Sequence, residues 1–233
     1  MQPPPKPVYL LADSQALFAR DHAHPIADAL RAAVEHDAPR AAYIGACNGD
    51  EPAFYQIFEA AMDLAGVRDC RMIRASFSDD EMAYLDTADI ILLAGGDPAR
   101  GWRAIDAAGI AQRLRDRYFA GVVLIGVSAG AVLLGEQVLS DDADADAPPT
   151  PALRIVPWIV DAHDEERGWT RLRHAMSLSG TGGLGLSAGG GLVCHGDMTL
   201  EPIRRPVALI RDASDDLPQL LLPQREVIAA AAP

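Results

Sequence analysis

Ser128 stands between two glycines in Gly126-Val127-Ser128-Ala129-Gly130, within the stretch Gly121 to Gln137. A continuous apolar run, Val122 to Ile125, precedes it, and Ala131 to Leu134 follows. The first run has the length of a buried strand, and the second reads as the opening turns of a buried helix. A hydroxyl residue between glycines at a strand-to-helix turn is a nucleophile-elbow arrangement. A tight turn of small residues with no chemistry is the competing interpretation, and the flanking strand and helix signals tell against it. In the elbow, the Ser128 hydroxyl sits at the carboxyl end of the strand. The N–H of Ala129, at the helix start, then faces a developing oxyanion.

A serine nucleophile requires a base within hydrogen-bond reach and a group that orients the base. His22, His24 and His36 lie in polar surroundings, and His174 is expected on an exposed helix face. His195 ends an apolar strand beside Gly196-Asp197 and remains an alternative base. His163 directly follows a strand end, where sites in parallel sheets collect, and is the favoured base. It belongs to the second concentration of polar groups, Asp161 to Leu172 (D-A-H-D-E-E-R-G-W-T-R-L). Arg167 and Arg171 there carry planar guanidinium groups suited to a carboxylate. Surface arginines that merely balance an acidic exterior are the other explanation.

The elements that must hold these groups follow from the periodicity. Strands are expected at Val8–Ala12, Ala41–Ala46, Cys70–Ala75, Asp89–Ala94 and Val122–Ile125, and late strands at Leu192–Cys194 and Val207–Ile210. Leu153–Val160 is a further apolar, β-branched run. Helical spacing marks Pro25–His36, Asn48–Gly66 and Trp102–Tyr118, and Ser78-Asp-Asp-Glu81 has the chemistry of a helix start. Most strands are unbroken apolar runs, the pattern of parallel strands buried on both faces. A three-layer α/β/α fold with a mostly parallel sheet follows, with Gly95-Gly96 and Ser128 side by side at strand carboxyl ends. Residues 1–7 read as a mobile Pro-rich tail and 8–228 as a single α/β domain. The acidic, low-complexity stretch at 141–150 reads as a surface loop.

The 233 residues are 49% hydrophobic, enough for a full core, and carry a net charge of −13. That charge argues against nucleic acid or an anionic membrane as partner. The three cysteines form no C-x-x-C pair, which suits a reducing compartment. No apolar run reaches membrane-spanning length, and a cytoplasmic location is expected. No cluster has metal-ligand spacing, so neither metal nor cofactor is expected. A small peptide is the expected partner, and a homodimer is left open.

Three motifs in order carry a resemblance: Gly95-Gly96-Asp97 after A-D-I-I-L-L-A, then G-V-S-A-G-A, then D-x-H-x-x-x-R. Together they resemble the peptidase E and cyanophycinase family of serine peptidases, from about Ala41 to Val193. Y-I-G-A-C-N-G-D and G-L-G-L-S-A-G-G-G-L-V are similar to further stretches of that family. The resemblance implies a class I glutamine amidotransferase-like (flavodoxin-like) fold. It implies Ser128 as nucleophile, His163 as general base, and the backbone N–H groups of Gly96 and Ala129 as oxyanion hole. Asp97 is closer to the cyanophycinase pattern, and Asp161 and Arg167 match positions near the substrate pocket. The arginine spacing departs from cyanophycinases, and the implied substrate is a short Asp-containing peptide or a β-aspartyl linkage. One position departs from the family: Ala188 stands where its members commonly carry the Glu of the triad. Another acid could orient His163, namely Asp161, Asp164, Glu165 or Glu201. A Ser–His dyad assisted by Ser187 is a second solution, and a pocket that binds without hydrolysing is a third. An α/β-hydrolase esterase is a separate alternative, built from Ser128, an acid of 141–146 and His195.

Overall fold

The computed structural model describes residues 5–18, 26–34, 37–139 and 150–223. His22, His24, His36, the start of the Pro-rich tail, residues 141–149 of the acidic stretch and residues 224–228 lie outside the described residues.

The elements alternate along the chain as expected. They are β1 (Val8–Leu11), α1 (Ile26–Ala33), β2 (Arg40–Ile44), α2 (Pro52–Leu64), β3 (Asp69–Ile73), α3 (Asp79–Leu85) and β4 (Ile90–Leu93). Then come α4 (Pro98–Ala107), α5 (Ala111–Phe119), β5 (Val123–Val127), α6 (Ala129–Leu134), β6 (Ile159–Ala162) and α7 (Thr170–Ser179). The chain continues with β7 (Gly183–Leu186), β8 (Gly191–Cys194), β9 (Leu200–Ile203), β10 (Val207–Ile210) and β11 (Gln219–Leu221). Local chemistry sets several boundaries. Ser78 and Glu81 form a reciprocal capping box at the start of α3. Proline occupies the first turn of α2 and of α4, where no N–H is needed. The helical pattern of Trp102–Tyr118 is broken into α4 and α5 at Gly109, whose φ is +66°. Only the end of the Leu153–Val160 run becomes a strand. Its first part turns its N–H groups to the carbonyls that α6 leaves open, Leu153 N to Leu133 O at 2.9 Å and Ile155 N to Leu134 O at 3.0 Å.

Among the described residues the main sheet has the order β3-β2-β4-β5-β1-β8-β9. The first five strands of that order pair in parallel, while β8 and β9 are antiparallel. Alternate side chains divide the core between the two faces of this sheet. Leu10, Ile44, Leu93 and Leu124 join one cluster with residues of α3, α4, α5 and α6. Tyr9, Leu11, Tyr43, Leu92 and Ile125 join another with residues of α1 and α2. Both faces are therefore covered over the central strands, which is why β1, β4 and β5 read as unbroken apolar runs. The late strands do not all extend this sheet: β6, β7, β10 and β11 form a second one, in the order β11-β10-β7-β6. Its inner face (Val160, Leu184, Leu186, Leu209) packs towards α6, and its outer face lies under α7. The G-L-G-L sequence of β7 makes this possible, because a β-carbon at Gly185 would stand 2.5 Å from the Trp169 ring. No helix of the described residues is long and apolar enough to cross a membrane.

Candidate active site

Five parallel strands end on one side of the main sheet, and the turns after β4 and β5 meet there. Gly126 and Gly130 let α6 fold back sharply from β5. A β-carbon at Gly126 would lie 2.6 Å from Ala131 Cα, and one at Gly130 would overlap the Leu93 carbonyl. Ser128, between them, has φ +48° and ψ −110°. Such a conformation is strained for a residue with a β-carbon. It is held because the Ser128 N–H donates to Leu11 O at 2.7 Å and its carbonyl accepts from Val132 N at 3.1 Å. The Ser128 side chain makes no capping hydrogen bond to α6, unlike an ordinary serine at a helix start.

Beside it, Gly96 has φ +137°, and a β-carbon there would collide with the carbonyl of Cys47. The loop is pinned by Asp97, whose N–H donates to Cys47 O and whose carboxylate caps α4 through Ala99 N and Arg100 N. No backbone acceptor takes the N–H of Gly96 or of Ala129 among the described residues. Burial first, then the charge of Asp97, pushes the Cys47 thiol up to about 12.

The second sheet supplies the opposite wall. His163 follows β6, has φ +66°, and donates its N–H to Leu186 O at 3.2 Å. Its side chain is exposed, and it lines with Ser128 one cavity of about 820 Å³. Ser128 and His163 are thus two non-glycine residues with positive φ that line one cavity, and such strain concentrates at functional sites. Gly96, Asp97, Ala129, Arg167, Arg171 and Ala188 line the same cavity.

Asp161 departs from its expected place at the substrate. It is 0% exposed, and its carboxylate is clasped by Nε and Nη2 of Arg171. Burial pushes the Asp161 carboxyl above its ordinary value, with Arg171 and the Ala162 N–H pulling the other way. Arg171 also reaches Ala162 O at 3.4 Å, and its own N–H donates to Asp164 Oδ2 at 3.3 Å. Arg171 therefore braces the strand end that carries His163. Arg167, by contrast, is exposed at the rim and makes no ion pair among the described residues.

His195 is not in this cavity. It follows β8, which runs antiparallel to β1 so that Cys194 sits opposite Val8, at the far end of the sheet from Ser128. There its Nε2 lies 2.8 Å from Glu201 Oε2. That position removes His195 as base for Ser128, and Glu201 as a group that orients His163. Sequence reasoning did not find the attachment of the glycine-rich turn. Asp13 Oδ2 accepts from Gly189 N at 2.6 Å, and Glu165 Oε1 accepts from Ala188 N at 3.0 Å. A carboxylate bonded to a distant backbone N–H leaves no pattern in sequence that could reveal it.

The model of peptidase family S51 matches residues 9–201. The fold is similar to a peptidase from an acI-B1 Actinobacterium, with a TM-score of 0.69 and 17% identity over 95% of this chain and 96% of that one. It is also similar to a protein of Listeria monocytogenes EGD-e described as a candidate peptidase E, with a TM-score of 0.60 and 13% identity over 86% of this chain and 99% of that one. No curated protein matches the chain significantly.

Proposed function

The chain belongs to peptidase family S51, and from that membership we propose that it hydrolyses short, Asp-containing peptides with Ser128 as nucleophile. The observation that carries the proposal is the presence of the strained Ser128 and His163 in one cavity that also holds Gly96 and Ala129. Ser128 Oγ attacks the scissile carbonyl carbon while His163 takes the hydroxyl proton. The carbonyl oxygen becomes an oxyanion, which the N–H groups of Gly96 and Ala129 receive. One such donor is worth roughly 3–4 kcal/mol of transition-state stabilisation. His163 then returns the proton to the leaving amine. Water, deprotonated by the same imidazole, hydrolyses the acyl-enzyme and frees Ser128.

The cavity of about 820 Å³ has the size of a small-ligand site and suits a peptide of a few residues. Arg167, at its rim, offers a planar fork for a substrate carboxylate. Arg171 is engaged with Asp161 and serves the wall. Cys47, Cys70 and Cys194 are all free thiols, which favours a reducing, cytoplasmic setting.

A fluorophosphonate probe tests the chemistry. Wild-type protein is expected to label at Ser128, the Ser128→Ala protein not at all, and the His163→Ala protein far more slowly. Equal loss from His195→Ala, with His163→Ala unaffected, would contradict the assignment.

A further inference from the structure

We propose that Glu165 is the positioning residue for His163, its carboxylate supplying from the β6 side the acid that Ala188 cannot. The proposal rests on the serine peptidase mechanism above. A histidine that shuttles a proton needs a partner on its second ring nitrogen to hold tautomer and orientation. Asp161 is fully buried and engaged by Arg171. Asp164 is 5% exposed and accepts from the Arg171 N–H. Asp97 caps α4. Glu201 is paired with His195 at the other end of the sheet. Glu166 lines the cavity as an exposed residue and makes no hydrogen bond among the described residues.

Glu165 differs from all of these. It lies two residues from His163 and lines the same cavity. Its Oε1 is fixed at 3.0 Å from the Ala188 N–H, so the carboxylate sits against the backbone of the residue that lacks a side chain. Its other oxygen, Oε2, is buried and has no hydrogen-bond partner among the described residues. A buried carboxylate oxygen without a donor is costly. The His163 N–H is tied to Leu186 O, two residues before Ala188, so His163 and Ala188 both lie just beyond the paired ends of β6 and β7. The His163 ring is exposed and makes no hydrogen bond among the described residues, so a ring nitrogen is free to donate to Oε2.

The test compares wild type, Glu165→Gln and the double variant Glu165→Gln/Ala188→Glu, using an acidic dipeptide and the fluorophosphonate probe. Gln keeps an oxygen for the Ala188 N–H, and a thermal melt checks that each variant is folded. Loss of the carboxylate is expected to lower kcat and labelling rate by about 10²–10⁴-fold with little change in KM. The other charged groups lining the cavity, Asp97, Asp164, Glu166, Arg167 and Arg171, are unchanged in the variant. Ala188→Glu in the same background restores roughly tenfold or more by returning a carboxylate from the opposite side. Unchanged kcat in Glu165→Gln, with wild type labelled at Ser128, would overturn the positioning role and leave the peptidase proposal standing. A raised KM with kcat unchanged would also overturn it, because Glu165 would then bind the substrate's ammonium group. Wild type that neither labels nor cleaves would overturn the peptidase proposal and the Glu165 role together.

Discussion

Replacing Arg171 with methionine removes the only guanidinium that neutralises Asp161 among the described residues, in a place water does not reach. Asp161 is 0% exposed and Arg171 is 30% exposed, with two bonds between them in a forked geometry. Breaking a buried pair by deleting one partner costs about 3–5 kcal/mol, and the partial exposure of Arg171 places the expected loss near the lower end. For a chain of this size that corresponds to a drop in Tm of roughly 6–12 °C. The loss depends on pH in a determined sense. Burial already holds the Asp161 carboxyl above its ordinary value of 3.8, and Arg171 opposes that shift. Without Arg171 the folded-state value rises further. The folded chain then keeps a proton that the unfolded chain releases, so stability falls as pH rises from the ordinary value through the folded one. Thermal unfolding of Arg171→Met and wild type at about pH 4 and about pH 7 should show a larger deficit at neutral pH. Asp161→Asn in the Arg171→Met background should recover most of that deficit, since it removes the stranded charge. A loss below about 1 kcal/mol at both pH values would refute the reasoning, because Arg171 would then be no more than a surface arginine.

Further outcomes follow from the same geometry. Ser128→Gly relieves the positive φ and should raise stability by about 1–2 kcal/mol, after the entropy cost of glycine, while abolishing probe labelling. Gly96→Ala drives a β-carbon into the Cys47 carbonyl and should cost about 2–4 kcal/mol in a denaturant melt. Its kcat should fall with it. Burial pushes the Glu81 carboxyl up, but hydrogen bonds from Ser78 and Arg74 outweigh it and hold the group below its ordinary 4.5. That stabilisation is present above 4.5 and lost as pH falls through the folded value, so Ser78→Ala should cost about 1 kcal/mol at neutral pH and less in acid unfolding. Burial pushes the thiols of Cys47 and Cys194 up to about 12 and about 11. Ellman's reagent should leave both unmodified in the native protein at neutral pH and modify both after denaturation.

The main sheet was legible because burial on both faces writes itself as unbroken apolar runs. The tight strand-to-helix turn at Ser128 was legible because Gly126 and Gly130 are required by close approaches that no larger residue tolerates. The second sheet was not legible. Strands β6, β7 and β10 are short apolar runs like the others, and whether such a run extends one sheet or begins another depends on partners far away in sequence. Arg171 and Asp161 were visible as charges near a strand end, but which side of the wall they face is decided by tertiary packing. Asp161 is buried against Arg171, whereas Arg171 also lines the cavity. That Ala188 stands where the family resemblance implies a Glu was readable in the sequence. The carboxylate that lies against the Ala188 backbone comes from Glu165, across a gap of 23 residues that periodicity cannot bridge.

Hydrolysis of a panel of Asp-containing, β-aspartyl and non-acidic dipeptides, by wild type and Ser128→Ala in parallel, tests the central claim most directly. Turnover of the acidic peptides that vanishes in Ser128→Ala is the predicted result. Full hydrolysis by Ser128→Ala, or no cleavage of any peptide by well-folded wild type, would contradict it.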